Sequence, residues 1–151
     1  MSMTPMPPPG AHAAPGGVPV GGVFAISEVL PLMRDASRQL DAARIRWRDA
    51  RDAAAQAKAD AKRTRANLIV QLRVWGNEGT GGLPIKTSAE RQEWADADQA
   101  VQQSELAADL AQTNAMNERA VLDAAEEHFR ALTGMLAIER DQLKRDADGP
   151  H

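Results

Sequence analysis

The chain of 151 residues has no cysteine and no tyrosine, and only two phenylalanines and three tryptophans. Without cysteine there can be no disulfide framework and no thiolate to act as nucleophile or metal ligand, and an intracellular compartment is expected. Aromatic residues make up 3% of the chain, and alanine supplies much of the 43% that is hydrophobic. Few bulky side chains are therefore available to fill a core, so an elongated or oligomeric molecule is expected. No apolar run approaches the ~18 residues of a membrane span, and no membrane partner is expected. Glycine is missing from Ser27 to Trp75 and again from Leu83 to Thr133, and between Gly21 and Gly149 proline occurs only at Pro31 and Pro84.

The two uninterrupted stretches carry a clear pattern. Val29, Met33, Ala36, Leu40, Ala43, Trp47, Ala50, Ala54, Ala57, Ala61, Thr64 and Leu68 follow one another in alternating steps of four and three, the heptad seam of a coiled-coil helix. Ser27 is placed to cap this helix, with Pro31 in its first turn. A second series runs from Trp94 and Ala97 through Val101, Ala108, Ala115, Leu122, Phe129 and Leu136 to Leu143, with polar interruptions at Ser104, Glu118 and Glu139. Thr87 and Glu90 form the capping-box pattern that starts it. Gly134 weakens it by ~1 kcal/mol relative to alanine.

These signals predict an all-α protein, a long antiparallel two-helix hairpin in the form of an Ala-rich coiled coil. Helix 1 is expected at about 28–75, the loop at 76–87 and helix 2 at about 88–146, with a hairpin domain spanning 27–148. Residues 1–26 are rich in proline and glycine and lack the basic and apolar regions of a Sec-type signal, so they read as a flexible or extended arm. Folding about the loop pairs residues whose numbers sum to roughly 163, bringing Trp47 near Met116 and Val29 near Gly134. Helix 2 then overhangs helix 1 beyond about Leu136, and Val18, Val20, Val23, Phe24 and Ile26 or a second chain are expected to cover it. Alanine on both seams gives little apolar area per contact, so the protein is expected to be its own partner in a homo-oligomeric helical bundle.

Charge is divided between the helices. Glu28–Trp75 holds eleven Lys and Arg against six Asp and Glu, whereas Thr87–Asp148 holds six against fourteen. Opposite signs favour pairing of the two helices over self-pairing. On helix 1, Arg44, Arg48, Arg51, Lys58, Lys62 and Arg65 form a basic stripe one position beyond the seam. Such a stripe could bind nucleic-acid phosphates. It could equally flank the seam with ion pairs, Lys58 to Glu105 and Arg65 to Asp98. The second reading is preferred because the whole chain is acidic and no aromatics alternate with the stripe to stack bases.

Sites of chemistry are not expected. Glu126-Glu127-His128 lacks the Glu-x-x-His partner on the other helix that a di-iron bundle needs. Gly76, Gly79, Gly81 and Gly82 lack the Lys-Ser/Thr of a phosphate-binding loop and follow no strand. A non-enzymatic protein without cofactor or metal is therefore expected. The passage Arg73–Trp94 is unusual in another way: Ile69, Val70, Val74, Trp75, Leu83 and Ile85 cluster about the reversal. Ile69, Val70 and Val74 point away from the seam. An apolar tip of this kind is a candidate partner-binding surface, unless the loop folds back over it.

Trp75-Gly76 at a helical turn resembles the WXG-type substrates of type VII secretion, although here glycine follows tryptophan directly. A broader likeness covers most of 27–146: ARIRWRDARDAAAQAKADAKR, a Gly-containing break, TSAERQEWADAD and a close in HFRALTGMLAIERDQLKRD. In pattern and composition this resembles the small helical-hairpin proteins that bacteriophages and prophages encode among recombination and replication genes. The resemblance implies a phage accessory protein in the host cytoplasm, acting by contact with another phage protein in DNA recombination or replication. A virion structural or assembly component, using the N-terminal arm on neighbouring subunits, is one alternative, and a secreted WXG-like helical hairpin is the other.

Overall fold

The computed structural model describes residues 26–149. Within them the chain is helical and without strands: α1 spans Ile26–Val74, a single 3-10 turn spans Glu78–Thr80, α2 spans Ser88–Ala97 and α3 spans Gln99–Asp148. Apart from Ile26, the Pro/Gly-rich arm expected at 1–26 lies outside the described residues, as do the valines and Phe24 proposed as cover. α1 has 49 residues and α3 has 50, so each is about 75 Å long at ~1.5 Å per residue. The two long helices pack closely along their length.

The four-three series explains which face each helix buries. Every α1 residue of the series from Val29 to Leu68 is buried or half-buried, and so is every α3 residue from Val101 to Glu139. Leu40, Ala43 and Leu122 form one cluster, with Trp47, Ala125 and Phe129 packed against it. Ala50, Ala54 and Ala115 form another, with Ala111 at its edge. Reading up α1, the partner positions run down α3, so the two helices are antiparallel. The alanine cluster brings the helices together with small side chains, and the Leu40–Leu122 cluster adds larger ones. The first turn differs from expectation: α1 already begins at Ile26, so Pro31 lies beyond it and has no N–H to donate to the Ser27 carbonyl.

The larger difference is in the second stretch, which is two helices and not one. Asp98 leaves helical geometry (φ −73°, ψ 129°) and caps α3, its carboxylate accepting from the Val101 N–H at 3.0 Å. Aspartate is among the best N-cap residues. The break moves the buried face by one position: Ala95 is fully buried where Trp94 was expected on the seam, and Trp94 is 37% exposed. Trp94 instead lies on Gly79, where an added Cβ would sit 2.8 Å from its ring.

Candidate functional site

The end of the molecule where the chain reverses is built in detail. α1 stops at Gly76 in the left-handed region (φ +70°), with the Gly76 N–H reaching the Gln71 carbonyl at 3.1 Å. A Cβ at Gly76 would run into the Leu83 carbonyl, so this position requires glycine on two counts. Asn77 and Thr80 form a reciprocal capping box, each side chain accepting from the other's backbone N–H at 2.9 Å. Ile85 turns inward: its N–H donates to the Leu72 carbonyl at 2.8 Å, and both side chains are buried. The Arg91 guanidinium ties the strap down by donating to the Ile85 and Lys86 carbonyls at 3.0 and 2.8 Å. Thr87 caps α2, its hydroxyl accepting from the Glu90 N–H.

The six residues of the apolar tip are thus divided. Ile85 is buried and Ile69 half-buried, because the loop and α2 fold back over that side of α1. Val70, Val74, Trp75 and Leu83 stay exposed, Trp75 at 74% and Leu83 at 69% of their full surface. Four apolar side chains therefore face solvent at one end, Val70 and Val74 on the last turns of α1 and Trp75 and Leu83 on a loop held by backbone hydrogen bonds and the Arg91 guanidinium. Neither fold-back nor full exposure alone describes the tip.

The basic stripe is divided as well. Arg65 crosses to the other helices, reaching Glu105 at 2.7 Å and Asp96 at 2.8 Å, with a further bond to Gln92 at 3.1 Å. Hydrogen bonds donated to Glu105 and then to Asp96 push the Arg65 pKa still higher than the ordinary arginine value. Lys58 and Lys62 line an open hollow with Arg65, Glu105 and Asp109, but the ion pair expected between Lys58 and Glu105 is not formed, because Arg65 takes the Glu105 carboxylate. Arg44, Arg48 and Arg51 pair within their own helix, with Asp41, Asp49 and Asp52 at 3.7, 3.5 and 3.3 Å. Arg51 also stacks over the Trp47 ring at 5.0 Å, as Arg119 of α3 does at 4.9 Å. One inter-helix pair has no counterpart in the stripe, Arg46 with Glu118 at 3.5 Å. The stripe is interleaved with carboxylates along its length, which lowers its potential toward a polyanion.

Among the described residues, no group of three or more His, Asp or Glu side chains is arranged to hold a metal ion. Among them, too, no helix is long and apolar enough to cross a membrane. Comparison with protein-family models, curated protein sequences and solved structures gives no match.

Proposed function

We propose that the chain is a non-enzymatic coiled-coil hairpin that acts by protein–protein contact, made end-on through Val70, Val74, Trp75 and Leu83. The observation that carries this reading is the exposure of Trp75 and Leu83 on a loop with little freedom to rearrange. An exposed tryptophan on a preorganised support, with exposed aliphatic side chains at the same end of the molecule, is a usual centre of a binding hot spot. The helix pair acts as a rod, keeping the tip far from the other end of the molecule. The resemblance to phage helical hairpins makes the partner a recombination or replication protein of the same phage, met in the host cell.

The experiment is co-purification of the full chain with the products of neighbouring genes, using the natural sequence and the Trp75→Glu and Leu83→Glu variants. Retention by the natural chain, lost in both variants at unchanged helix content, is the expected result. Retention that survives both substitutions, or that follows reversal of Arg44, Arg48 and Arg51 instead, contradicts it.

A further inference from the structure

α3 has a second patterned face. Opposite the seam that packs on α1, residues from Gln103 to Ile138 again follow in steps of three and four, and all are exposed. Leu106, Leu110 and Ile138 lie on this series with about three-fifths of their surface in solvent, 59%, 62% and 61% respectively. Most of the remaining positions are small or uncharged, including Asn117, Ala124 and Ala131, and Glu127 is the one charge. The outward face of α1 is of the opposite kind, with Arg38, Asp49, Asp52 and Arg63 exposed along it. A helix back meant only for water looks like that of α1; the back of α3 looks like a second seam.

We propose that this face of α3 pairs antiparallel with the same face of a second copy of the chain, in the register that sets Asp109 beside Arg130 of the second copy. In an antiparallel heptad pair, residues on the same flank meet across the interface. On one flank of this face they are Asp109, Met116, Asp123 and Arg130. With the two-fold axis between Glu118 and Arg119, Asp109 meets Arg130 of the second copy, and the pair occurs twice. Sliding by one heptad in one direction opposes Asp109 to Asp123, and in the other it opposes Asp123 to its own copy. Charge therefore selects one register of the three. A parallel pair would instead stack Glu127 on Glu127. Within the single chain Asp109 borders the hollow that holds Lys58 and Lys62, and Arg130 the one that holds Arg44 and Glu126, yet neither takes part in an ion pair among the described residues.

Shape agrees with charge in this register. Leu106 faces Ala131 of the second copy, a large side chain against a small one, and Leu110 lies across the stem of Glu127 between Ala124 and Ala131. In the single chain a Cβ on Gly134 has nothing within 4 Å, so nothing in the chain's own packing there calls for glycine. Asn117 falls next to the axis and faces Ala120, and one polar residue near the middle of a seam favours one register over its neighbours. The overlap from Gln99 to Ile138 is about 60 Å of helix at ~1.5 Å per residue. The dimer would carry its two apolar tips at opposite ends; that consequence alone rests on the tip reading, and the pairing does not.

Sedimentation equilibrium of the full chain tests this. The natural sequence is expected to be a dimer, and Leu110→Glu a monomer with unchanged helical circular dichroism. Asp109→Arg and Arg130→Asp each weaken the dimer by about tenfold or more, as like charges then meet, and the double variant D109R/R130D restores it to within about threefold. A natural chain that stays monomeric at high concentration, a dimer indifferent to Leu110→Glu, or a double variant as weak as the single ones overturns the proposal. Trp75→Glu is included as a separate arm and leaves the dimer intact. A monomeric natural chain that still needs Trp75 for partner retention removes the dimer and keeps the tip.

Discussion

Arg65 of α1 donates to Glu105 of α3 at 2.7 Å, and this contact joins the most basic stretch of the chain to the acidic helices. The guanidinium is held by carboxylates from two sides, since Asp96 of α2 lies 2.8 Å from it. Its side chain is 25% exposed and that of Glu105 is 43% exposed, so water and salt screen the pair in part. Glu105→Gln is expected to cost about 0.5–1 kcal/mol at low salt, and less at molar salt. Urea unfolding at two salt concentrations measures both, and a loss independent of salt would contradict the assignment.

Leu122 and Leu110 are on the same helix but in opposite settings. Leu122 is 2% exposed in the cluster with Leu40 and Ala43, so Leu122→Ala should cost about 2–4 kcal/mol. Leu110→Ala removes little buried area within the chain and should change the stability of a monomer by less than about 0.5 kcal/mol. Thermal unfolding of the two variants at concentrations below dimer formation makes the comparison.

Gly76 and Gly81 both have positive φ, yet only Gly76 has a crowded Cβ direction. Gly81→Ala should therefore cost about 1 kcal/mol for the backbone alone. Gly76→Ala should cost clearly more, because the Leu83 carbonyl must also move. Equal losses in denaturant titrations would show that the reversal is looser than described.

Asp98→Ala removes the carboxylate that caps α3 at the Val101 N–H. A loss of about 1 kcal/mol is expected, with Asp98→Asn nearly silent because asparagine caps as well. Amide exchange at Val101 should rise in the alanine variant only.

Much of the fold was legible because a four-three series of Leu, Val, Trp and Ala leaves one way to bury apolar surface. Every α1 residue so assigned is buried or half-buried. The break at Asp98 was not legible, since neither glycine nor proline marks it and Ala-Asp-Ala-Asp reads as ordinary helix. That break also explains why Arg65 meets Asp96 and Glu105, where uninterrupted numbering pointed to Asp98. At the tip, composition identified an excess of apolar side chains but could not say which of them the loop would cover. Ile85 goes inward because its N–H reaches the Leu72 carbonyl, a long-range pairing with no local sequence signal. The stripe was visible as spacing, but its pairing with Asp41, Asp49 and Asp52 depends on side-chain placement along the same helix.

The claim that the molecule works through its apolar end is tested most directly by one affinity comparison on the partner retained by the natural chain. Binding is measured for the natural chain, for Trp75→Ala and for the triple reversal of Arg44, Arg48 and Arg51 to glutamate. Trp75→Ala should weaken binding by about thirtyfold or more, the scale of a hot-spot tryptophan, and the triple reversal should change it by less than about threefold. The opposite order, with Trp75→Ala silent and the reversal abolishing binding in a salt-sensitive way, would move the functional surface from the tip to the basic stripe.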